Sequence, residues 1–421
     1  MKVLVEGAGG REHALVWKLQ QSPDKPEVIA APGNAGIAQH AECFPVNMAD
    51  PIELADLAER EQVDLVIIGP DEPVVLGTAD ELRERRILAF GPSGEAAYLE
   101  GSKKFMKRLL VAAGVPTARY GVYSSEEREE ALNFMQSLEG GWVFKTDELA
   151  SGKGVKVVEQ WEKAILTLES YLSGEAFGDA GREPIIEEFL EGRELSYFTF
   201  CDGFDALHLG TARDYKRQRD GDEGPNTGGM GSYSPVPDVP PAMNEEIMEA
   251  CVRPTLAEMA DRGHRFEGML YTGAVLTPNG PMVMEHNVRF GDPETQVLLP
   301  RMESDLLTHC RESAAGHLHS TVVMGERAAT TVIMASKGYP EAPETGDVIE
   351  GLDDAAKLDN VVVFHAGTRQ EGEHVVTAGG RVLNVTGLGD TVAESRKHAY
   401  EGVELISWRG EQHRTDIAEG A

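Results

Sequence analysis

The residues best suited to chemistry stand together in Glu285-His286-Asn287-Val288-Arg289-Phe290-Gly291-Asp292-Pro293-Glu294. An apolar run over residues 281–284 precedes them, and Gly291 and Pro293 end them, which predicts a strand running out into a loop. Alternation along a strand puts Glu285, Asn287 and Arg289 on one side. A carboxylate and an amide oxygen two residues apart are hard oxygen donors. Mg²⁺ takes few such protein ligands and completes its octahedron with phosphate oxygens and water. Arg289 adds a planar fork that grips a phosphate or a carboxylate. His286 points the other way and reads as packing. Taken alone, the stretch reads equally well as a surface strand.

Phosphate chemistry needs further cations and backbone donors. Residues 142–145 form a strand ending in Lys145, and residues 155–158 form a second. The loop between them is Thr146-Asp147-Glu148-Leu149-Ala150-Ser151-Gly152-Lys153-Gly154. This predicts a hairpin whose glycine- and lysine-bearing loop folds over a triphosphate. It is not a P-loop, because GxxxxGK[ST] is absent and no helix follows. Gly101-Ser102-Lys103 opens a helix with Ser102 as N-cap. Glu187-Glu188-Phe189-Leu190-Glu191-Gly192-Arg193-Glu194 sets carboxylates behind a short apolar edge. That suits an adenine and its ribose, or equally a solvated turn. Arg213, Lys216, Arg217 and Arg219 precede Gly224-Pro225-Asn226-Thr227-Gly228-Gly229-Met230-Gly231. The run from Gly221 to Gly231 is too glycine-rich to build a core, so it is either a disordered loop or one that orders around a ligand. The basic residues before it favour the ligand.

These side chains need elements to hold them. A buried-type strand at residues 2–5 enters Gly7-Ala8-Gly9-Gly10-Arg11-Glu12-His13 and then an amphipathic helix, an arrangement that offers backbone N–H groups to a phosphate. Glu12 replaces the third glycine of GxGxxG, and the next strand ends in Pro32-Gly33-Asn34-Ala35-Gly36 without an acid. A small phosphorylated ligand therefore suits this loop better than a dinucleotide. Strands near 64–68 and 88–90 also end in Gly/Pro loops, predicting a doubly wound parallel sheet with its ligand at the strand C-termini. From about Ala328 the chain is β-branched and turn-punctuated, which predicts a separate C-terminal α+β unit without a catalytic cluster.

Asp and Glu number 71 against 39 Lys and Arg, a formal charge of −32 spread through every segment. This argues against nucleic acid or an anionic membrane as partner. It predicts a surface suited to a high-salt cytoplasm, where screening suppresses self-repulsion. Cys43, Cys201, Cys251 and Cys310 are far apart and fit neither a zinc site nor a disulfide framework. The chain enters a strand directly, leaving no room for a signal peptide, and no apolar run approaches membrane-spanning length. The expectation is a soluble cytoplasmic protein.

In order along the chain, these signals resemble the ATP-grasp superfamily and, within it, the phosphoribosylamine–glycine ligase (glycinamide ribonucleotide synthetase) family. The resemblance covers essentially all 421 residues. Its most specific parts are Gly9–Leu15 (GGREHAL), Ala31–Gly36 (APGNAG), Gly224–Gly231 (GPNTGGMG), Arg289–Gln296 (RFGDPETQ) and Phe364–Thr368 (FHAGT). It implies an N-terminal doubly wound domain over 1–101, an ATP-grasp domain over 102–322 with a hairpin-bearing lid near 121–190, and a C-terminal α+β domain over 323–421. The implied activity joins glycine to 5-phosphoribosylamine with ATP and Mg²⁺ or Mn²⁺, through a glycyl phosphate, in a cytoplasmic monomer. Lys103 and Lys145 would contact ATP phosphates, with Ser151, Gly152, Lys153 and Gly154 closing over them. Glu187, Glu188 and Leu190 would face the adenine and Glu194 the ribose. Glu285 and Asn287 would bind the metal. Arg289, Lys145 and Asp214 would be catalytic. Gly9, Gly10, Asn34, Gly36, Lys216, Asn226, Thr227, Gly228, Gly229 and Asp292 would bind the two small substrates. The chain departs from the family's usual pattern at Asp71, Thr146, Glu148, Ser151, Tyr215 and His286. Glu148 is the most consequential, because it puts a negative charge where a glycine usually lies beside the triphosphate.

Overall fold

A computed structural model describes residues 1–147, 154–178 and 182–421. The first strand, Lys2–Gly7, lies at the centre of a five-stranded parallel sheet, between Glu27–Pro32 and Leu65–Ile68. Glu42–Cys43 and Leu88–Phe90 form its edges. The strands are short and almost wholly buried, as continuous apolar runs in a parallel sheet require. Their C-terminal ends carry the Gly7–Gly10 and Pro32–Gly36 loops, so the doubly wound expectation holds.

The largest sheet has eight antiparallel strands. In spatial order they are Gly280–Asn287, Glu267–Thr277, Arg193–Asp202, Ala206–Asp214, Gly231–Ser234, Ala328–Ala335, Arg381–Gly389 and Val361–His365. The C-terminal strands therefore continue the central sheet, joined where Gly231–Ser234 pairs with Ala328–Ala335. The C-terminal α+β unit read from the sequence is thus hydrogen-bonded strand to strand onto the central sheet at this seam. A strand as short and glycine-led as Gly231–Ser234 gives no sign that it pairs on both sides.

A third sheet is ordered Tyr120–Val122, Ile185–Glu188, Trp142–Lys145, Val155–Val158. It has its own core, in which Trp142, Phe144, Val158 and Ile186 pack against Ala131 and Met135 of one helix and Ala164 and Leu168 of another. Its base is tied to the edge of the large sheet, since Thr117 Oγ1 donates to the Val283 carbonyl at 2.7 Å and Val283 N donates to Pro116 O at 2.8 Å.

Candidate active site

The strand Gly280–Asn287 contains a bulge, because Gly273 pairs with Glu285 and Ala274 with Val283, leaving Met284 over. The bulge reverses the alternation: Pro281 and Val283 are buried before it and His286 after it. Glu285 and Asn287 consequently open to one side. His286 lies 3.1 Å from Thr272 Oγ1 and 3.4 Å from Thr255 Oγ1, and burial pushes its pKa down to about 3. It is a packing residue, as its parity suggests.

Four cations converge on Glu285. Burial would raise its pKa, but Lys216, Lys145, Lys103 and Arg289 together hold the carboxyl below its ordinary value. Lys103 is the first residue of the helix Lys103–Ala112, and Ser102 caps it by accepting from Phe105 N. Burial lowers the Lys103 pKa, and Glu285 opposes that. Asp147, just after Lys145, takes hydrogen bonds from Ser102 Oγ at 3.0 Å and Lys104 N at 2.8 Å. This ties the hairpin loop to the helix N-terminus. The loop residues Glu148, Ser151, Gly152 and Lys153 lie outside the described residues.

Glu187, expected at an adenine, is also a buried counter-charge. Its carboxylate sits between Lys145 Nζ at 3.1 Å and Lys107 Nζ at 2.9 Å, with all three side chains buried. Two ammonium groups taken out of water need a counter-charge close by, and Glu187 is that charge. Lys107 nevertheless has its pKa pushed down to about 8 by burial, with Glu187 opposing. Glu188 points the other way along the strand and accepts from Arg119 N at 2.8 Å. Leu190 is half-buried beyond the strand end. Glu194 is exposed and pairs with Lys216 at 2.9 Å, which joins two residues expected at different substrates.

Arg289 is held on three sides. Its Nη2 donates to Glu100 Oε1 at 2.9 Å and Asn287 Oδ1 at 3.1 Å, and Nη1 donates to Phe290 O at 3.3 Å. Its Nε is buried and has no hydrogen-bond partner among the described residues. Burial is outweighed by the Glu100 and Asp71 carboxylates, so the guanidinium stays charged. Glu100 also accepts from Val288 N at 2.7 Å, fixing the strand end together with the side chain. Sequence reasoning misses Glu100, although it immediately precedes Gly101-Ser102-Lys103.

On the other flank the glycine loops are braced by side chains from elsewhere. Gly9 N donates to Glu12 Oε2 at 2.6 Å, so the residue that breaks GxGxxG closes this loop. Asn34 donates to Ala8 O and His365 O at 2.9 and 2.8 Å, and its oxygen accepts from Gly36 N and Ile37 N. Its amide is thus engaged in shaping the loops, whose main-chain groups need partners, rather than facing a substrate. A Cβ on Gly10 would come within 2.2 Å of Asn384 Nδ2 and 2.7 Å of Gln296 Nε2. Gln296 in turn donates to Asp292 Oδ1 at 2.6 Å.

The glycine-rich run carries regular structure. It contains the strands Glu223–Asn226 and Gly231–Ser234, and Asn226 pairs with Arg217. Between the strands, Thr227 N and Met230 N donate to Lys216 O and Tyr215 O at 2.8 and 2.7 Å, and Gly228 N donates to Tyr339 Oη at 3.1 Å. Arg381 holds the run against Asp292. The C-terminal segment, expected to hold no catalytic cluster, contributes Arg381, Asn384 and His365 to the bracing of these loops. No local motif marks Arg381 or Asn384. Beneath the run Asp214 is half-buried, and desolvation pushes its pKa up to about 7 against the pull of Lys216, with Glu294 adding to the rise. Glu294 accepts from Tyr271 Oη at 2.9 Å and Ser196 Oγ at 3.3 Å.

Three family matches follow the same order along the chain. Residues 1–100 match the N domain of phosphoribosylglycinamide synthetase, 101–295 its ATP-grasp (A) domain, and 329–420 its C domain. The phosphoribosylamine–glycine ligase of Mesorhizobium japonicum is 45% identical over 418 residues, 99% of this chain and 97% of that one. Its Streptomyces coelicolor counterpart is 46% identical over 422 residues, 99% of each chain.

The chain belongs to the phosphoribosylamine–glycine ligase family.

A crystal structure of that ligase from Thermotoga maritima superposes with a TM-score of 0.86 at 34% identity, covering 99% of this chain and 100% of the other. The biotin carboxylase domain of Hydrogenobacter thermophilus 2-oxoglutarate carboxylase, solved with MgADP and bicarbonate, has a TM-score of 0.73. It covers 98% of this chain and 91% of that one, and at 17% identity it shares the fold alone. Membership makes the chain an ATP-dependent ligase of the ATP-grasp type, a group that uses ATP with a divalent metal. Glu285 and Asn287 fit that metal as a carboxylate and an amide oxygen on one side of a strand, and the amide oxygen bonded to Arg289 keeps a second lone pair. No cluster of three or more His, Cys, Asp or Glu that could hold a metal occurs among the described residues. Phosphate oxygens and water would complete the shell. No helix among the described residues is long and apolar enough to cross a membrane.

Proposed function

We propose that this chain joins glycine to 5-phosphoribosylamine, converting ATP to ADP and phosphate and forming glycinamide ribonucleotide for purine synthesis. The observation that carries this reading is that Lys103, Lys145, Lys216 and Arg289 all act by their charge on Glu285, in a chain of this family. A carboxylate oxygen of glycine attacks the γ-phosphorus and ADP leaves. The ribosylamine nitrogen then attacks the carbonyl carbon of glycyl phosphate, phosphate leaves, and the nitrogen loses a proton. Lys103 and Lys145 neutralise the phosphates, and the Ser151–Gly154 loop belongs over them. Glu188, Leu190 and Glu194 lie along the nucleotide's path. Arg289, already oriented by Glu100, meets the charge that develops on the transferring phosphoryl group. Asp214, poised near neutrality, takes the proton that the amine releases. Glu285 and Asn287 would hold Mg²⁺ or Mn²⁺, which would neutralise phosphate charge. Gly9, Gly10 and Gly36, with the Asn226–Gly229 turn and Asp292, form the acceptor side. The working form is a cytoplasmic monomer whose acidic surface suits high salt.

The test is ADP release from Mg-ATP by purified protein in molar KCl, with glycine and freshly generated phosphoribosylamine supplied together and each omitted in turn. Turnover that needs both is expected. Turnover with a different amine or carboxylate would move the chain to another activity of the same fold.

A further inference from the structure

Arg381 lies on the strand Arg381–Gly389, in the segment where sequence alone marks no catalytic residue. Its side chain is largely buried, and its guanidinium makes contacts that no single-point cation could reproduce. Nη1 donates to Gly228 O at 2.6 Å and to Asp292 O at 2.7 Å, and Nη2 donates to Asp292 Oδ2 at 3.0 Å. One fork thus pins the glycine turn at residues 227–230 onto the turn that follows Arg289. The two turns are in intimate contact, since a Cβ on Gly229 would come within 2.6 Å of Pro293 Cδ.

The far side of Asp292 faces the N-terminal glycine loop. A Cβ on Gly9 would lie 3.4 Å from Asp292 Oδ2, and Asp292 Oδ1 leads through Gln296 to Asn384, which abuts Gly10. Arg381 therefore stands where three glycine-bearing segments meet. The segments that carry Lys103 and Lys145 have contacts of their own, through Ser102, Asp147 and Glu187.

We propose that Arg381 is a positioning residue for the second half of the reaction, holding the acceptor pocket in shape while leaving the use of ATP and glycine to the other flank. This rests on the ligase reading above. Arg381 touches no reacting atom. It acts through the Gly228 and Asp292 main chain and the Asp292 carboxylate.

The test separates the two half-reactions. Full-length wild type, Arg381→Lys and Arg381→Met are given Mg-ATP and glycine, and glycyl phosphate is trapped as the hydroxamate with hydroxylamine in the absence of ribosylamine. The same proteins are then assayed with phosphoribosylamine. Hydroxamate formation in the variants is expected within about threefold of wild type, while kcat/KM for the ribosylamine falls at least about tenfold. Arg381→Lys is expected to recover little, because an ammonium cannot span both turns. Equal losses in both assays would overturn the positioning role, and so would no loss in either. Melting temperatures of both variants accompany the assays; a collapse of the fold would appear as equal losses and count against the proposal. Failure of wild type itself to form hydroxamate would overturn the ligase reading instead.

Discussion

On the side of the hairpin strands, the proposed chemistry rests on side chains. Lys103, Lys145, Lys216 and Arg289 surround Glu285, and their own counter-charges, Glu187 and Glu100, are buried beside them. On the glycine-loop side the proposed contacts are main-chain ones, and the side chains there act as braces: Glu12 on Gly9, Asn34 on four nearby main-chain groups, Arg381 on two turns. The difference suits the two tasks. A triphosphate needs concentrated, fixed positive charge in a dry place. A small sugar phosphate and its amine need close backbone approach, which glycines permit and braces make rigid.

The largest effect should come from breaking the side-chain half at its centre. Arg289→Ala is expected to lower kcat by about 10³, the range found when a single oriented donor to a developing charge is removed. ADP release under saturating substrates measures it, and a parallel titration with a fluorescent ATP analogue should show affinity changed far less. Next comes Glu187→Gln, which leaves Lys107 and Lys145 buried without their anion. A loss of about 3–5 kcal/mol in urea unfolding is expected. Adding Lys107→Met should recover part of it, because one of the stranded charges is removed. No recovery would mean that Glu187 matters through packing rather than charge.

The main-chain half should yield less to any one substitution. Asn34→Ala orphans the Ala8 and His365 carbonyls and the Gly36 and Ile37 N–H groups. A cost of about 2 kcal/mol is expected, since water replaces part of what is lost. Unfolding would register it, and the KM for phosphoribosylamine should rise more than that for ATP.

The two halves also differ in how far the sequence reveals them. Lys103, Lys145, Glu285, Asn287 and Arg289 each stand in a short contiguous motif, and strand parity alone puts the last three together. The ion pairs of Glu187 go unread because one of its ammonium partners, Lys107, belongs to a helix far upstream. Braces are invisible for the same reason in stronger form. Arg381 finds Asp292 across 89 residues and Gly228 across 153, so the need for it exists only once three segments have been brought together. The parallel sheet is legible because strand, glycine turn and helix follow one another locally. The seam between the central and C-terminal strands is not, because Gly231–Ser234 pairs on one side with a strand that lies far along the chain.

A change of pH rather than of a contact sharpens the comparison most. Among the lid-side carboxylates Glu285 faces four cations, whereas Glu6, beneath the glycine loop, is wholly buried and neither oxygen has a hydrogen-bond partner among the described residues. Burial, with Glu12 adding its charge, pushes the Glu6 pKa up to about 8. An acid whose pKa is higher folded than unfolded binds its proton more tightly when folded. Its contribution to stability therefore falls as pH rises from the unfolded value of 4.5 to about 8, and is constant beyond. Glu6→Gln removes that dependence. The stability of the variant relative to wild type should climb through this window by up to about 1.4 kcal/mol per pH unit and then level off. Urea midpoints of both proteins at a few pH values from roughly 5 to 9 would reveal it. A flat difference would mean that Glu6 is ionised in the folded protein and solvated from within. The glycine-loop half would then be wet beneath its surface, and the contrast with the dry, charge-paired half would lie in hydration as well as in who carries the chemistry.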